Sequence, residues 1–413
     1  GLAELFLFWK VCDRGGAFVF TALLVIIYIA FISLGLPDSL LGSAWPVMHM
    51  DLGAPLSFAG VISMIVSCGT VVSSLLSTRL IARFGTARVT VVSVVMTAAA
   101  LLGFGVAPAV WWLCLLAVPL GLGAGSVDAG LNNFVALHYQ ANHMSWLHCF
   151  WGIGATAGPM VMAFWLNRDG NWHGGYLTIG LLQAVLVAVL LCSMPLWRKV
   201  SAASKVPGEE EPVTALPLRK VFQIPRAKAA LLGFFCYCAV ETTANLWASS
   251  YAVTGFGVDE HTAAGWSSVF FLGITLGRLL SGFVAMRLSS PALIRVGQAL
   301  TLAGILLLAL PLPLWRIPVG LCLIGGGCAP IYPAMLHQTP QVFGKQLSQA
   351  MMGVQMACAY VGTTLMPPAF GLLASWVDIR LFPLFLLVFL ALMFLGTQRV
   401  RSEGRQAPSQ KGA

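Results

Sequence analysis

The chain has 413 residues, 58% of them hydrophobic, with a mean hydropathy of +0.87. Only 9% are charged, against about 25% in a soluble domain. Too few polar side chains remain to cover a water-facing surface, which excludes an ordinary soluble enzyme. The net charge of +9 suggests nucleic acid only if the charges form a basic stripe, and their places along the chain show that they do not.

A bilayer core ~30 Å thick takes about 20 apolar residues as helix. Twelve stretches meet that length: 18–46, 56–80, 89–107, 110–137, 144–166, 175–197, 229–254, 262–286, 292–313, 315–336, 347–375 and 379–398. Ahead of the first, Glu4, Lys10, Asp13 and Arg14 break any signal-like pattern, and the span itself is too long for a signal core. The start is therefore expected to be uncleaved. The predicted class is all-α integral membrane, with twelve transmembrane helices in two pseudo-symmetric six-helix bundles.

The first span contains Gly35-Leu36-Pro37-Asp38-Ser39, followed by Gly42. Pro37 removes a backbone donor and frees a carbonyl, so a broken helix with an acid at the break is expected. Asp38 either binds a solute there or repairs the backbone. The 2–3 loop runs from Arg79 through Ala82, Arg83, Phe84 and Gly85 to Arg88. The fourth span carries Gly121, Gly123, Gly125, Asp128, Asn132 and Asn133. Asp128 and Asn132 are four apart and share a helix face with Gly121 and Gly125, where a neighbour can come close. Burial of Asp128 disfavours its charged form, so it can take up a proton, or it can serve as a helix-packing hydrogen bond.

The fifth span opens with Trp146, His148, Phe150, Trp151 and Gly152, and continues through Gly154 and Gly158 to Pro159. His148 is a candidate for binding or for a helix–helix hydrogen bond. Gly154 and Gly158 read as close packing. Arg198–Lys228 is the longest polar stretch. Pro207, Pro212, Pro217 and Pro225 interrupt it, Glu209–Glu211 form an acidic run, and it reads as a solvated linker without helical periodicity.

The seventh span holds Glu241, Asn245 and Trp247. Glu241 and Asn245 share a face. Together with an aromatic plane they suit a sugar, whereas a pair between Glu241 and Arg278 would be structural. Arg278 is the basic residue placed inside a span. The eleventh span adds Gln349, Gln355 and Tyr360, which line a cavity or bond to a neighbouring helix. A carboxylate at helix centre costs ~2.5–3.5 kcal/mol on insertion scales, so Asp38, Asp128 and Glu241 are the leading functional acids.

With both termini inside, nineteen of the 23 Lys and Arg fall on the inner side and Arg168, Arg316 and Arg380 on the outer. The positive charge is then a topology signal and gives no support to nucleic-acid binding. The ten cysteines lack CxxC or zinc spacing. Cys68, Cys114, Cys149, Cys192, Cys236, Cys238, Cys322, Cys328 and Cys358 sit in apolar runs and read as packing residues. Cys12 precedes the first span. No nucleophile–base motif or metal spacing such as HExxH is present. The chain is expected to be neither an enzyme nor a metal or cofactor protein.

Leu75-Leu76-Ser77 followed by Arg83 recurs 204 residues later as Leu279-Leu280-Ser281 followed by Arg287. Nearly the same spacing relates Asp38 to Glu241. The expected organisation is a half at 1–197, a cytoplasmic loop at 198–228, a half at 229–398 and a cytoplasmic tail at 399–413.

This plan resembles the major facilitator superfamily. In the 2–3 loop the basic residues and Gly85 match, while Ala82 stands where that superfamily has Asp. The motifs of spans 4, 5 and 7 are similar to the fucose:proton symporter family and its relatives among sodium-dependent glucose transporters. The resemblance implies secondary active transport of a sugar or similar small polar solute by alternating access, as proton-coupled symport, with sodium in place of the proton as the alternative. It places proton coupling on Asp128 and Asp38. Asp128 stands where an acid longer by one methylene is common. Asp38, Asn132, Asn133, His148, Trp151, Glu241, Asn245, Trp247 and Gln355 are the candidate substrate residues, and Arg278 is a structural charge. The expected setting is a bacterial inner membrane, as a monomer. The rival functions are proton-coupled efflux of amphiphilic compounds and a non-transporting sensor on a transporter scaffold.

Overall fold

In lipid every backbone N–H and C=O must be satisfied within the protein, and long apolar runs achieve this as helix. A computed structural model describes residues 14–38, 40–55, 58–168, 171–203, 218–258 and 260–402. Among these there is no strand.

The helices are α1 (Arg14–Gly35), α2 (Leu40–Asp51), α3 (Phe58–Phe84), α4 (Thr86–Phe104), α5 (Val110–His138), α6 (Ala141–Leu166), α7 (Trp172–Cys192) and α8 (Met194–Ala203). They continue as α9 (Leu218–Val221), α10 (Ala227–Phe256), α11 (Glu260–Val284), α12 (Ser290–Ala309), α13 (Arg316–Phe343), α14 (Lys345–Trp376) and α15 (Phe382–Ser402), with a 3₁₀ turn at Ile379–Leu381. Eleven stretches are long and apolar enough to cross a membrane, and Val269–Val284 within α11 is a shorter apolar one. Each of the twelve expected spans therefore finds a helix. The first is split between α1 and α2, with Leu36, Pro37 and Asp38 in the turn, as the proline predicts.

The linker needs correction. Helix runs on to Ala203, past the expected start at Arg198. Trp197 and Val200, three apart, are both buried, and the Trp197 ring lies 4.9 Å from Phe134. That apolar stripe sustains the helix into the polar stretch. Leu218–Val221 adds one helical turn further on. The acidic run Glu209–Glu211 lies outside the described residues, as do Glu4, Lys10, Cys12, Asp13, Ser39, Asp169, Asp259 and Glu403.

The chain clusters into two compact units. Unit 1 comprises Gly1–Gly69, Leu80–Phe134 and Phe150–Pro212; unit 2 comprises Thr70–Arg79, Val135–Cys149 and Val213–Ala413. The core of unit 1 gathers Leu40, Trp45, Met48, Phe104, Trp172 and Tyr176. In unit 2, Val221, Ala227, Leu231, Met351 and Val354 cluster together. Two cations of unit 2 cap helix ends. Arg316 donates to the carbonyls of Leu308 and Leu312, and Arg380 to that of Gly255, with both guanidiniums over the Phe256 ring.

Backbone contacts record the duplication in three dimensions. In unit 1 a Cβ on Gly121 would strike the Val66 carbonyl, and one on Gly69 would crowd the Leu122 nitrogen. In unit 2 a Cβ on Gly325 would strike the Phe270 carbonyl, and one on Gly273 would crowd the Gly326 nitrogen. Gly123 meets Ser93 and Thr97; Gly327 meets Gly297 and Thr301. Every residue in these second-half contacts lies 204 positions after its first-half counterpart. Small residues let membrane helices pack backbone to backbone, and here the same seams are used twice.

Candidate substrate and coupling site

In unit 1, Pro37 leaves the Ser33 carbonyl without its helical donor. Gln183 of α7 supplies one: its amide nitrogen, Nε2, donates to the Ser33 carbonyl at 2.8 Å. The amide oxygen of Gln183 accepts from Thr97 of α4 at 2.6 Å. Gln183 therefore performs the repair for which Asp38 was the sequence candidate. The Asp38 side chain is exposed, and its Oδ2 accepts from Trp151 Nε1 at 2.9 Å.

Close helix approach places that indole. A Cβ on Gly154 of α6 would strike the Ile32 carbonyl of α1, one on Gly158 the Leu36 carbonyl, and one on Gly35 the Trp151 carbonyl. The glycines seat α6 directly against the break, and Tyr28 stacks on Phe150 at 4.6 Å beside it. The reading of Gly154 and Gly158 as close packing holds.

Asp128 on α5 lies within electrostatic reach of Asp38. Its side chain is buried, and Oδ1 accepts from Asn132 Nδ2 at 2.7 Å. The same amide reaches the Asp128 carbonyl at 2.9 Å. Asp128 and Asn132 thus meet on one face, as their spacing requires. Asn133 is also buried, and its amide oxygen accepts no hydrogen bond among the described residues.

Unit 2 gathers a different set. Arg278 of α11 and Glu241 of α10 form an ion pair at 3.0 Å. Of the two sequence readings for Glu241, the pair with Arg278 is the contact observed. Tyr237, one turn before Glu241, lies beside the guanidinium. His148 is buried within electrostatic reach of Arg278, its ring 5.2 Å from that of Tyr332 on α13. Tyr332 also meets Phe234 at 5.5 Å and Tyr237 at 5.3 Å, and its hydroxyl approaches Met356 Sδ at 3.0 Å.

Asn245 is half-buried one turn beyond Glu241. Trp247 is taken up in packing. Its Nε1 donates to the Pro367 carbonyl at 2.9 Å, and its ring meets Phe370 edge-on at 5.5 Å. Gln355 is buried and accepts from Thr339 at 3.0 Å, at a small cleft that Phe234, Met335 and Gln338 also line. Gln349 bonds Ser77 and Thr78. These contacts favour the helix-bonding reading for both glutamines.

Gln183, Tyr237 and Tyr332 were not singled out by sequence reasoning. Gln183 had a signal, as an amide within the apolar sixth span. The two tyrosines had none, because tyrosine is common in membrane helices. The nine described cysteines are free thiols, and no group of three metal ligands occurs among the described residues.

The chain belongs to the major facilitator superfamily, whose model matches residues 27–266 and 230–413. It is 24% identical over 333 residues to the uncharacterized transporter y4wD of Sinorhizobium fredii, covering 78% of this chain and 83% of that protein. Its fold is similar to that of FucP, the E. coli fucose:proton symporter, solved in an outward conformation. That match has a TM-score of 0.72 and 14% identity, covering 91% of this chain and 97% of the other. The proton:xylose symporter XylE, solved with 6-bromo-6-deoxy-D-glucose, gives a TM-score of 0.74 at 12% identity, covering 95% and 96%. The protein is a multi-pass membrane transporter and not an enzyme.

Proposed function

We propose that this transporter moves a sugar or similar small polar solute across the membrane by alternating access, coupled to proton entry. The observation that carries this reading is the exposed Asp38 carboxylate at the Pro37 break, beside the Trp151 indole and relieved of backbone repair by Gln183. A carboxylate accepts hydroxyl hydrogens, and an indole offers a flat apolar face; together they suit a sugar ring. Solved proteins of like fold are named as sugar:proton symporters, which supports the same reading.

Asp38 and Asp128 supply the coupling. Two carboxylates in electrostatic reach, one of them buried, oppose double ionisation. A proton on Asp128 removes that repulsion as solute binds Asp38. The halves 1–197 and 229–398 then rock, and the proton leaves on the inner side. A 100 mV potential contributes ~2.3 kcal/mol per charge moved. Both termini face the cytoplasm of a bacterial cell, and one chain suffices.

Uptake into proteoliposomes tests this. With an inward proton gradient the wild type should accumulate labelled sugar, with no requirement for sodium. Asp128→Asn should keep exchange down a gradient and lose uphill accumulation. Full pH-driven accumulation by Asp128→Asn would overturn the coupling assignment.

A further inference from the structure

Asp38 is an acid without a cation. Its Oδ2 accepts from one neutral donor, the Trp151 indole, and its Oδ1 has no partner among the described residues. The charged group within electrostatic reach is a second acid, Asp128 on α5. No lysine or arginine among the described residues interacts with Asp38. The shortage extends to its surroundings: the described spans of unit 1 carry lysine or arginine only near their ends, whereas Glu241 in unit 2 has Arg278. Solvent reaches the Asp38 side chain although protein surrounds it, so a solute can reach it too.

A neutral sugar leaves this imbalance in place. Its hydroxyls donate to Asp38, but two like charges stay within reach of one another unless a proton arrives as well. A protonated amine supplies the absent charge itself. An ammonium gives hydrogen bonds in which both partners are charged, and adds a Coulomb attraction that a hydroxyl lacks. The Trp151 indole strengthens this, since an aromatic face attracts a cation held within ~6 Å of it.

We propose that the solute taken at Asp38 is a small hydroxylated compound bearing a protonated amine, of the amino-sugar class, and that its ammonium takes the place of the coupling proton. This rests on the reading of Asp38 as the solute-binding acid, and it narrows the solute. Charge balances with either load. A neutral sugar enters with one proton and the ammonium with none, so each brings one positive charge to the two acids. Proton and amine therefore compete for the same site. The groups facing Asp38 are Asp128 on α5, which titrates, and Trp151 on α6, which does not.

Thermal shift on the purified full chain would compare glucosamine and galactosamine with glucose and galactose, at pH 5 and pH 7, both below the range in which such amines lose their proton. At pH 7 at least one amine should bind about tenfold tighter than its parent sugar. That advantage should shrink at pH 5, where protons compete for the acids. N-acetylglucosamine, whose amine is capped, should show none of it. Asp38→Asn should bind amine and parent sugar alike, and Asp38→Glu should keep the preference, with the unliganded melt of each variant reporting its folding. In proteoliposomes an inside-negative potential without a pH gradient should accumulate the amine and leave the pH of the medium unchanged, whereas glucose should need the proton. Equal binding of amine and parent sugar, an amine preference that survives Asp38→Asn, or proton uptake with the amine as with glucose would each overturn the proposal. Glucose driven by protons with no preference for the amine would overturn it and leave the sugar reading standing. Amine bound and glucose not would uphold it and end the neutral-sugar reading, and if neither bound, both would fall.

Discussion

Asp38 and Glu241 stand at nearly corresponding places in a duplicated chain, yet their surroundings differ. Asp38 meets a neutral indole N–H at a helix break and is exposed. Glu241 lies on an unbroken helix and meets a guanidinium. The residue 204 positions before Arg278 is Ser74, so the first half has no cation at the equivalent place. Meanwhile the glycine seams repeat at that same spacing. The scaffold can therefore be held fixed by backbone packing while one polar substitution changes what an acid does. A carboxylate without a cation keeps its capacity to accept hydrogen bonds or a proton. One with a cation is committed to it.

The sharpest way to break this contrast is to remove the cation. Arg278→Gln should destabilise the protein by ~3–5 kcal/mol, because it leaves Glu241 uncompensated. The double Glu241→Gln/Arg278→Gln change should recover most of that loss in a thermal melt. The equivalent first-half change, Ser74→Ala, should not approach it. If the single and double variants melted together, the pair would have no bearing on stability.

Next come the seams. Gly121→Leu and its counterpart Gly325→Leu should each cost about 1–3 kcal/mol or more, since a side chain at either position meets a backbone carbonyl. Folded yield in detergent, read by size-exclusion chromatography, should fall for both. A loss in one alone would show that the repeated contacts are not equivalent.

Gln183→Leu should cost about 1–3 kcal/mol by leaving the Ser33 carbonyl unsatisfied. Its further consequence should be seen in transport, through a shifted break and a misplaced Asp38. The smallest effect belongs to Trp151→Phe, which keeps an aromatic ring and deletes the N–H that reaches Asp38. Stability should change by about 1 kcal/mol, and sugar half-saturation should rise. Unchanged half-saturation would remove Trp151 from the substrate site.

Much of this fold was readable in advance. Span number followed from apolar length, the first break from Pro37, and the close seams from glycines at helical spacing, because these signals are local to one segment. The meeting of Asp128 with Asn132 was readable for the same reason. The linker start was misread because Trp197 and Val200 make a helical stripe of only two residues, too short to register as periodicity. The partners of Trp247 and Gln355 were not legible, since each is chosen by which face of α14 or α13 arrives opposite.

The scarcity of charge, read from the sequence alone, determined that this is a membrane protein and singled out Asp38, Asp128, Glu241 and Arg278. Which of those acids is engaged and which is open was decided by tertiary structure. Gln183 lies far along the chain from Pro37, and Arg278 far from Glu241. Spacing along one helix fixes a shared face, but the partner across a helix interface depends on how two helices are turned and how closely they approach. In this protein the glycine seams set that approach.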